Sequence, residues 1–318
     1  MASKRRMMIL TQGSLGVFTA KTATCLLRYC ADEVACVLDT KANVGKRLED
    51  ILGVGAGIPI VATVADGLKH KPNQLVIGIA PVGGKLPTSW RKIILECIAA
   101  GMDIVSGLHQ LLKEDTEFAA AAKRRKVRMW DVREAPEVSV LQDRLRDLPQ
   151  RRIALVGSDC NMGKMVTSVE LDRALRAAGY DSEFIATGQT GIMIAGSGIA
   201  IDHVISDYVN GAIEQLCYER RKRQVVVVEG QGSVYHPAYS GVTVGMLHGT
   251  MPHAVIYQHV PTRTHVFHFD KKFPLMPVPQ GIALVEALLE PVHPATVIAV
   301  SLNTFGMSDA EAARAVAS

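Results

Sequence analysis

Short, uninterrupted apolar runs recur along the whole chain. They are MMIL (7–10), VACVL (34–38), IPIVAT (58–63), QLVIGIA (74–80), RIALVG (152–157), VVVVEG (225–230), AVIYQHV (254–260) and TVIAVSLN (296–303). Between them lie amphipathic stretches of helical period, such as SWRKIILECIAAGM (89–102) and TSVELDRALRAAG (167–179), the second ending on Gly179. A strand that is apolar at every position is buried on both faces. Its regular alternation with helices predicts parallel sheets covered on both sides, an α/β architecture. The polar stretch 131–152, with Pro136, Pro149 and many charges, separates two such series. The expected organisation is a Rossmann-like domain over 1–140 and a second three-layer domain over 141–318.

Composition narrows the function classes. The chain has 318 residues, 48% of them hydrophobic and 21% charged, enough to build a substantial core. A net charge of +4 with 5% aromatics gives no footprint for nucleic acid. None of the six cysteines forms a CxxC pair, and no apolar run approaches the ~20 residues of a membrane span. The start MASKRRMMILTQGS has too short an apolar segment for a signal peptide. A cytoplasmic protein acting on a small molecule is expected, with no membrane or nucleic-acid partner. Large α/β proteins commonly form symmetric homo-oligomers, and one is expected here.

The run RIALVG leads into GSDCNMGK and then a helix. Gly157, Ser158, Asp159, Cys160, Asn161, Met162, Gly163 and Lys164 thus stand between strand and helix, in the order of a phosphate-binding loop. Glycines let backbone N–H groups turn toward an anion, the helix N-terminus adds partial positive charge, and Lys164 adds a full one. The spacing GxDxxxGK is one residue longer than the common form and resembles the loop of the dethiobiotin synthetase branch of P-loop proteins. Met165 follows the lysine where a nucleotide-hydrolysing loop has Ser or Thr for Mg²⁺. A thioether is a poor ligand for that hard cation, and Thr167 and Ser168 lie further along the helix. The loop therefore suits a phosphorylated carrier held without a firmly bound metal, and coenzyme A is such a molecule. Cys160, near a helix N-terminus, is read first as a small residue fitting a tight loop and second as a stabilised thiolate.

VVVVEGQGS (225–233) places Glu229, Gly230 and Gly232 at the carboxyl edge of a buried strand, where open α/β folds bind ligands. Six of the ten histidines fall between His236 and His268, with no strong metal-ligand spacing among them. His236 lies close behind VVVVEGQGS. Arg263 follows strand AVIYQHV and Pro261, well placed to grip a carboxylate with two hydrogen bonds. In the first domain the turn Gly13-Ser-Leu-Gly16 and the acidic strand end Asp39 resemble a dinucleotide fold without its GxGxxG. GVGAG (53–57) precedes a strand and is a decoy. GIAPVGGKLP (78–87) and SGLH (106–109) are expected to face the cleft between the domains.

The segments AKTATCLLRY (20–29), GIAPVGGKLP, SGLH, GSDCNMGKM (157–165), VEGQGS (228–233), HGTMPHA and HVPTR (248–263) cover nearly the whole chain in order. Together they resemble a P-loop family long catalogued as a domain of unknown function, whose members include D-glutamate N-acetyltransferases of the DgcN type. Val166 departs from the hydroxyl residue expected after the motif's Met. The resemblance implies acetyl transfer from acetyl-CoA to the α-amine of an acidic amino acid. On that reading residues 157–165 and Thr167 hold the CoA phosphate. Glu229 or His236 is the general base, and Arg263, Gly230, Gly232 and His248 contact the substrate. The alternatives are an ATP- and Mg²⁺-dependent ligase or kinase, with Asp159 and Glu229 carrying the metal, and a nucleotide-sensing module without turnover.

Overall fold

The computed structural model describes residues 4–17, 19–79, 84–269 and 272–317. It divides into two compact units, Met1–Glu134 and Ala135–Ser318. Six strands of the first unit are β1 (Met7–Leu10), β2 (Val34–Leu38), β3 (Ile60–Val61), β4 (Gln74–Ile77), β5 (Asp103–Ser106) and β6 (Met129–Asp131). They form one parallel sheet in the order β3-β2-β1-β4-β5-β6. All four residues of β1 are fully buried, which a central strand covered on both faces requires. The helices are α1 (Lys21–Tyr29), α2 (Leu48–Leu52), α3 (Val64–Leu68), α4 (Arg91–Ala99) and α5 (Thr116–Arg125). Gly53 closes α2 in the left-handed conformation before the chain enters β3, so the GVGAG stretch is a helix stop and turn.

Asp39, at the end of β2, occupies the place where a dinucleotide fold presents an acid to a ribose. Here it is fully buried. It accepts hydrogen bonds from Thr11 Oγ1, Gly13 N (3.1 Å), Thr40 N (2.7 Å) and Asn43 Nδ2 (2.8 Å). Burial opposes its charge, but these donors outweigh burial and hold the carboxyl below its ordinary value. The acid therefore ties the β1 turn to β2.

In the second unit β7 (Arg151–Gly157), β8 (Ser182–Ile185), β9 (Val225–Val228), β10 (Ala254–His259) and β11 (Thr296–Leu302) form a parallel sheet in the order β11-β10-β7-β9-β8. Its helices are α6 (Lys164–Ala177), α7 (Gln189–Ala195), α8 (Val209–Glu219), α9 (Ser240–Thr250), α10 (Val278–Leu289) and α11 (Asp309–Ala317). The core joins Val156, Val226, Val228, Val255 and Tyr257 of the sheet to Ile213, Leu216, Leu247, Val285 and Leu289 of the helices. The run TVIAVSLN is an exception to the buried-strand expectation. As β11 it stands at the sheet edge, pairing among the described residues only with β10, and Ile298 is 63% exposed.

The polar stretch between the two sheets belongs to the second unit from Ala135 onward. Buried Glu214 of α8 accepts from Gln142 N (3.0 Å), Arg144 N (2.7 Å) and Arg144 Nε (3.1 Å). Three donors on one buried carboxylate anchor 142–144 against α8. Among the described residues, no helix is long and apolar enough to cross a membrane.

Candidate functional site

The site forms where β7 ends at the carboxyl edge of the second sheet, between β10 and β9. Gly157 pairs with Gln258 so closely that a Cβ on it would stand 2.7 Å from the Gln258 carbonyl. Its lack of a side chain therefore serves strand pairing. The loop closes at Gly163, whose φ of +104° is left-handed backbone, and α6 starts at Lys164. The helix begins three residues earlier than its periodicity suggests, so Lys164 is its first residue and Met165 its second.

Asp159 is the centre of the loop and is fully buried. Its Oδ1 accepts from Cys160 N (2.7 Å). Its Oδ2 accepts from Arg263 Nη1 (3.0 Å) and Phe267 N (2.7 Å). Its carbonyl accepts from Lys164 Nζ at 2.6 Å. Arg263 donates further to the carbonyls of Cys160 (2.7 Å) and Asn161 (3.3 Å). The sequence reading aimed Arg263 at a substrate carboxylate, but the structure engages its guanidinium with the loop.

The hydroxyls nearest the missing metal ligand are committed elsewhere. Thr167 Oγ1 donates to Gln258 Oε1 (2.7 Å), which removes Thr167 from the expected phosphate contacts. Ser168 Oγ bonds back to the Lys164 carbonyl (2.9 Å), an ordinary helical habit of serine. Met162 and Met165 are buried side chains, and Asn303 Nδ2 fixes the Met162 carbonyl (3.1 Å). The fully buried Ser158 places Oγ 2.8 Å from His259 Nδ1 and 3.1 Å from Met162 Sδ.

His236 comes to the loop, as expected. It is buried, stacks on Tyr239 with centroids 4.5 Å apart, and meets Phe269 edge-on. Ala238 N donates to Nδ1 (3.1 Å). That leaves the neutral ring's proton on Nε2, which lies 3.5 Å from Asp159 Oδ1 and 3.9 Å from Cys160 Sγ. Burial pushes His236 below its ordinary value despite the opposing pull of Asp159. In this arrangement Nδ1 is occupied by Ala238 N and Nε2 faces Asp159 and Cys160, so the ring presents no open lone pair for the general-base role expected of it. Burial, then the Asp159 charge, pushes the Cys160 thiol up to about 11, so the thiolate reading fails too. Asp159, Cys160 and His236 do offer potential ligand atoms within 4.8 Å of one another. With the carboxylate on an arginine, the histidine a proton donor and the thiol protonated, the three form a hydrogen-bonded cluster.

Glu229 sits at the end of β9 and is also buried. Its Oε2 accepts from Thr187 N (2.9 Å) and Gly188 N (3.0 Å). Gly230 lies against the strand and the lysine: a Cβ there would stand 2.0 Å from the Leu155 carbonyl and 2.8 Å from Lys164 Cδ. Gly232 turns with a φ of +57° beside Tyr239 and Thr243. His248 is not brought to this edge. α9 runs back to the opposite edge of the sheet, and the His248 ring, in its last turn, lies 2.9 Å (Nε2) from the Leu288 carbonyl of α10. It joins two helices. In GIAPVGGKLP, residues 80–83 lie outside the described ones. Leu86 N, just beyond, bonds to Gln110 Oε1 (3.0 Å).

Sequence reasoning missed Asn303, Gln258, Phe267 and the Ser158–His259 contact. Only His259 carried a signal, as one of the clustered histidines at a strand's carboxyl end.

Comparison with known proteins agrees with this two-part build. Residues 41–135 match the family model described as a DUF1611_N Rossmann-like domain, and residues 139–318 match the DUF1611_C P-loop domain, a domain of unknown function. The crystal structure of a DUF1611 family protein from Anabaena variabilis superimposes with a TM-score of 0.93 at 34% identity, covering 98% of this chain and 92% of that one. A protein of Tritonibacter scottomollicae named D-glutamate N-acetyltransferase is 36% identical over 265 residues, 82% of this chain and 78% of its own length. A protein of the same name from Pseudoalteromonas sp is 36% identical over 248 residues, 77% and 74% of the two lengths. The chain belongs to the DUF1611 family, with its Rossmann-like domain first and its P-loop domain second.

Proposed function

We propose that this protein is an N-acetyltransferase that moves the acetyl group of acetyl-CoA to the α-amine of an acidic amino acid, D-glutamate foremost. Two relatives that share 36% of its residues over most of the chain carry that name. The observation that carries the cofactor choice is the loop itself. It has the strand, turn, lysine and helix start of a phosphate grip, while its nearby oxygen ligands for Mg²⁺ are committed. Thr167 is held by Gln258, Ser168 by its own helix and Asp159 by Arg263. The same commitments weigh against the ATP- and Mg²⁺-dependent ligase or kinase reading.

In this reading Lys164 and the 158–163 backbone hold the CoA phosphate. An extended pantetheine arm is about as long as four residues of chain, so the thioester lies roughly 13–15 Å from the phosphate. Groups that touch the loop therefore do not also touch the acetyl carbonyl. His236, beside Asp159, belongs to the phosphate end, and Glu229 stands one residue before Gly230, which lies against Lys164. The base that deprotonates the amine lies beyond the residues in contact with the loop.

A thiol-release assay with acetyl-CoA and a panel of D- and L-amino acids tests the activity. Release of CoA with D-glutamate is expected, and none with any amine would sink the proposal. In the same assay Glu229→Gln is expected to raise the KM for acetyl-CoA while kcat stays within about 3-fold. A kcat loss of about 10²–10⁴, the size of a lost general base, would return Glu229 to the chemistry.

A further inference from the structure

The loop carries two cations, and both reach Asp159. Lys164 Nζ reaches the Asp159 carbonyl from the helix side. From the other side Arg263, in the segment after β10, spans the Asp159 carboxylate and the Cys160 and Asn161 carbonyls. The Asp159–Arg263 contact joins residues 104 positions apart, and the carboxylate is fully buried while the arginine side chain is 23% exposed. A carboxylate placed in a phosphate loop with no water around it needs a counter-charge, and a divalent cation is the usual one.

We propose that Arg263 is the built-in counter-cation of this loop, standing on Asp159 where a metal ion would otherwise sit and adding its charge to that of Lys164 on the bound phosphate. This rests on the reading that the loop takes a phosphorylated ligand. Its geometry suits the task. Nη1 is used on Asp159 and Cys160, and Nη2 makes one bond to Asn161. Among the described residues, Nε–H and the second Nη2–H have no protein acceptor, which leaves two donors for phosphate oxygens. The guanidinium is held from behind by the Phe267 ring, 5.6 Å from its carbon, while Phe267 N shares the same Asp159 oxygen. Arg263 thus joins Lys164 as a residue that would touch the phosphate directly.

Calorimetric titration of CoA into the full chain, in EDTA and then in millimolar Mg²⁺, separates the possibilities. The wild type is expected to bind equally in both. Arg263→Ala is expected to bind about 30-fold more weakly in EDTA, the size of a lost pair of charge-assisted hydrogen bonds. Mg²⁺ is expected to recover about 10-fold of that loss, because the freed Asp159 becomes a metal ligand, and to recover nothing in Arg263→Ala/Asp159→Asn. Arg263→Lys, which keeps a charge and so guards against a folding artefact, is expected to bind without Mg²⁺ dependence. Binding by Arg263→Ala within about 3-fold of wild type would overturn the proposal, and so would a weakened variant that Mg²⁺ does not rescue. Failure of the wild type to bind CoA at all would instead remove the phosphate-loop reading beneath it.

Discussion

Asp39 and Asp159 invite comparison. Each is a fully buried carboxylate beside a glycine turn at the carboxyl edge of a parallel sheet. Asp39 is satisfied by neutral donors from its own unit, three side chains and two backbone N–H groups. Asp159 takes a guanidinium, two backbone N–H groups and the near approach of His236. A ring of neutral donors makes a closed structural knot with no charge left for a ligand. A carboxylate held by a partly exposed arginine keeps a cation at the surface, which an anion can use. The two units thus repeat one fold logic, and the partners of one acid separate scaffold from site.

The sharpest way to break this contrast is to remove each acid in turn. Asp39→Ala strands Thr11, Asn43 and two N–H groups, and is expected to cost about 3–5 kcal/mol of stability. CoA affinity should stay within about 3-fold. Asp159→Ala strands Cys160 N, Phe267 N and part of the Arg263 guanidinium, so it is expected to cost a similar amount, about 3–5 kcal/mol, yet to weaken CoA markedly. Denaturant melts paired with CoA titrations check both, and an equal loss of CoA affinity in the two variants would erase the distinction.

Acidification should separate the units next. Burial, with Arg152 and His293 nearby, pushes His253 from its ordinary 6.5 down to about 4. Its folded value is the lower one, so the unfolded chain takes up the proton first. The stability it contributes is full above about 6.5 and is lost as pH falls toward about 4. Asp39 also has a depressed value, but its contribution is lost only further down, as pH falls below the ordinary carboxylate range. The second unit is therefore expected to lose stability first between pH 6.5 and 4, and His253→Gln should flatten that slope. Hydrogen exchange resolved by unit measures it, and an earlier loss in the first unit would contradict it.

The smallest effect is expected at Thr167. Thr167→Val removes a bond to Gln258 and should cost about 1 kcal/mol or less, with the KM for acetyl-CoA unchanged. A large rise in that KM would return the hydroxyl to the phosphate site.

Much of this was legible in the chain. Continuous apolar runs announced both sheets, because parallel strands buried on two faces leave no polar alternation to confuse them. The loop was legible because its residues are consecutive. What failed to show was whatever depends on residues far apart in sequence. Nothing in HVPTR says that Arg263 closes on Asp159, or that Gln258 takes the Thr167 hydroxyl. His248 misled because membership in a histidine cluster carries no information about which sheet edge a helix end reaches. TVIAVSLN looked as buried as the other strands, since an edge position depends on what pairs with the strand.

The loop is proposed to grip a coenzyme A phosphate without a metal. Thermal shift with CoA in EDTA, against ATP with Mg²⁺, tests it on wild type and Lys164→Ala. At 100 times its dissociation constant a ligand stabilises by about 2.7 kcal/mol. CoA in EDTA should raise the wild-type melting temperature accordingly, with ATP and Mg²⁺ doing far less and Lys164→Ala losing the CoA response. Stabilisation by ATP only when Mg²⁺ is present, with none from CoA, would contradict the account.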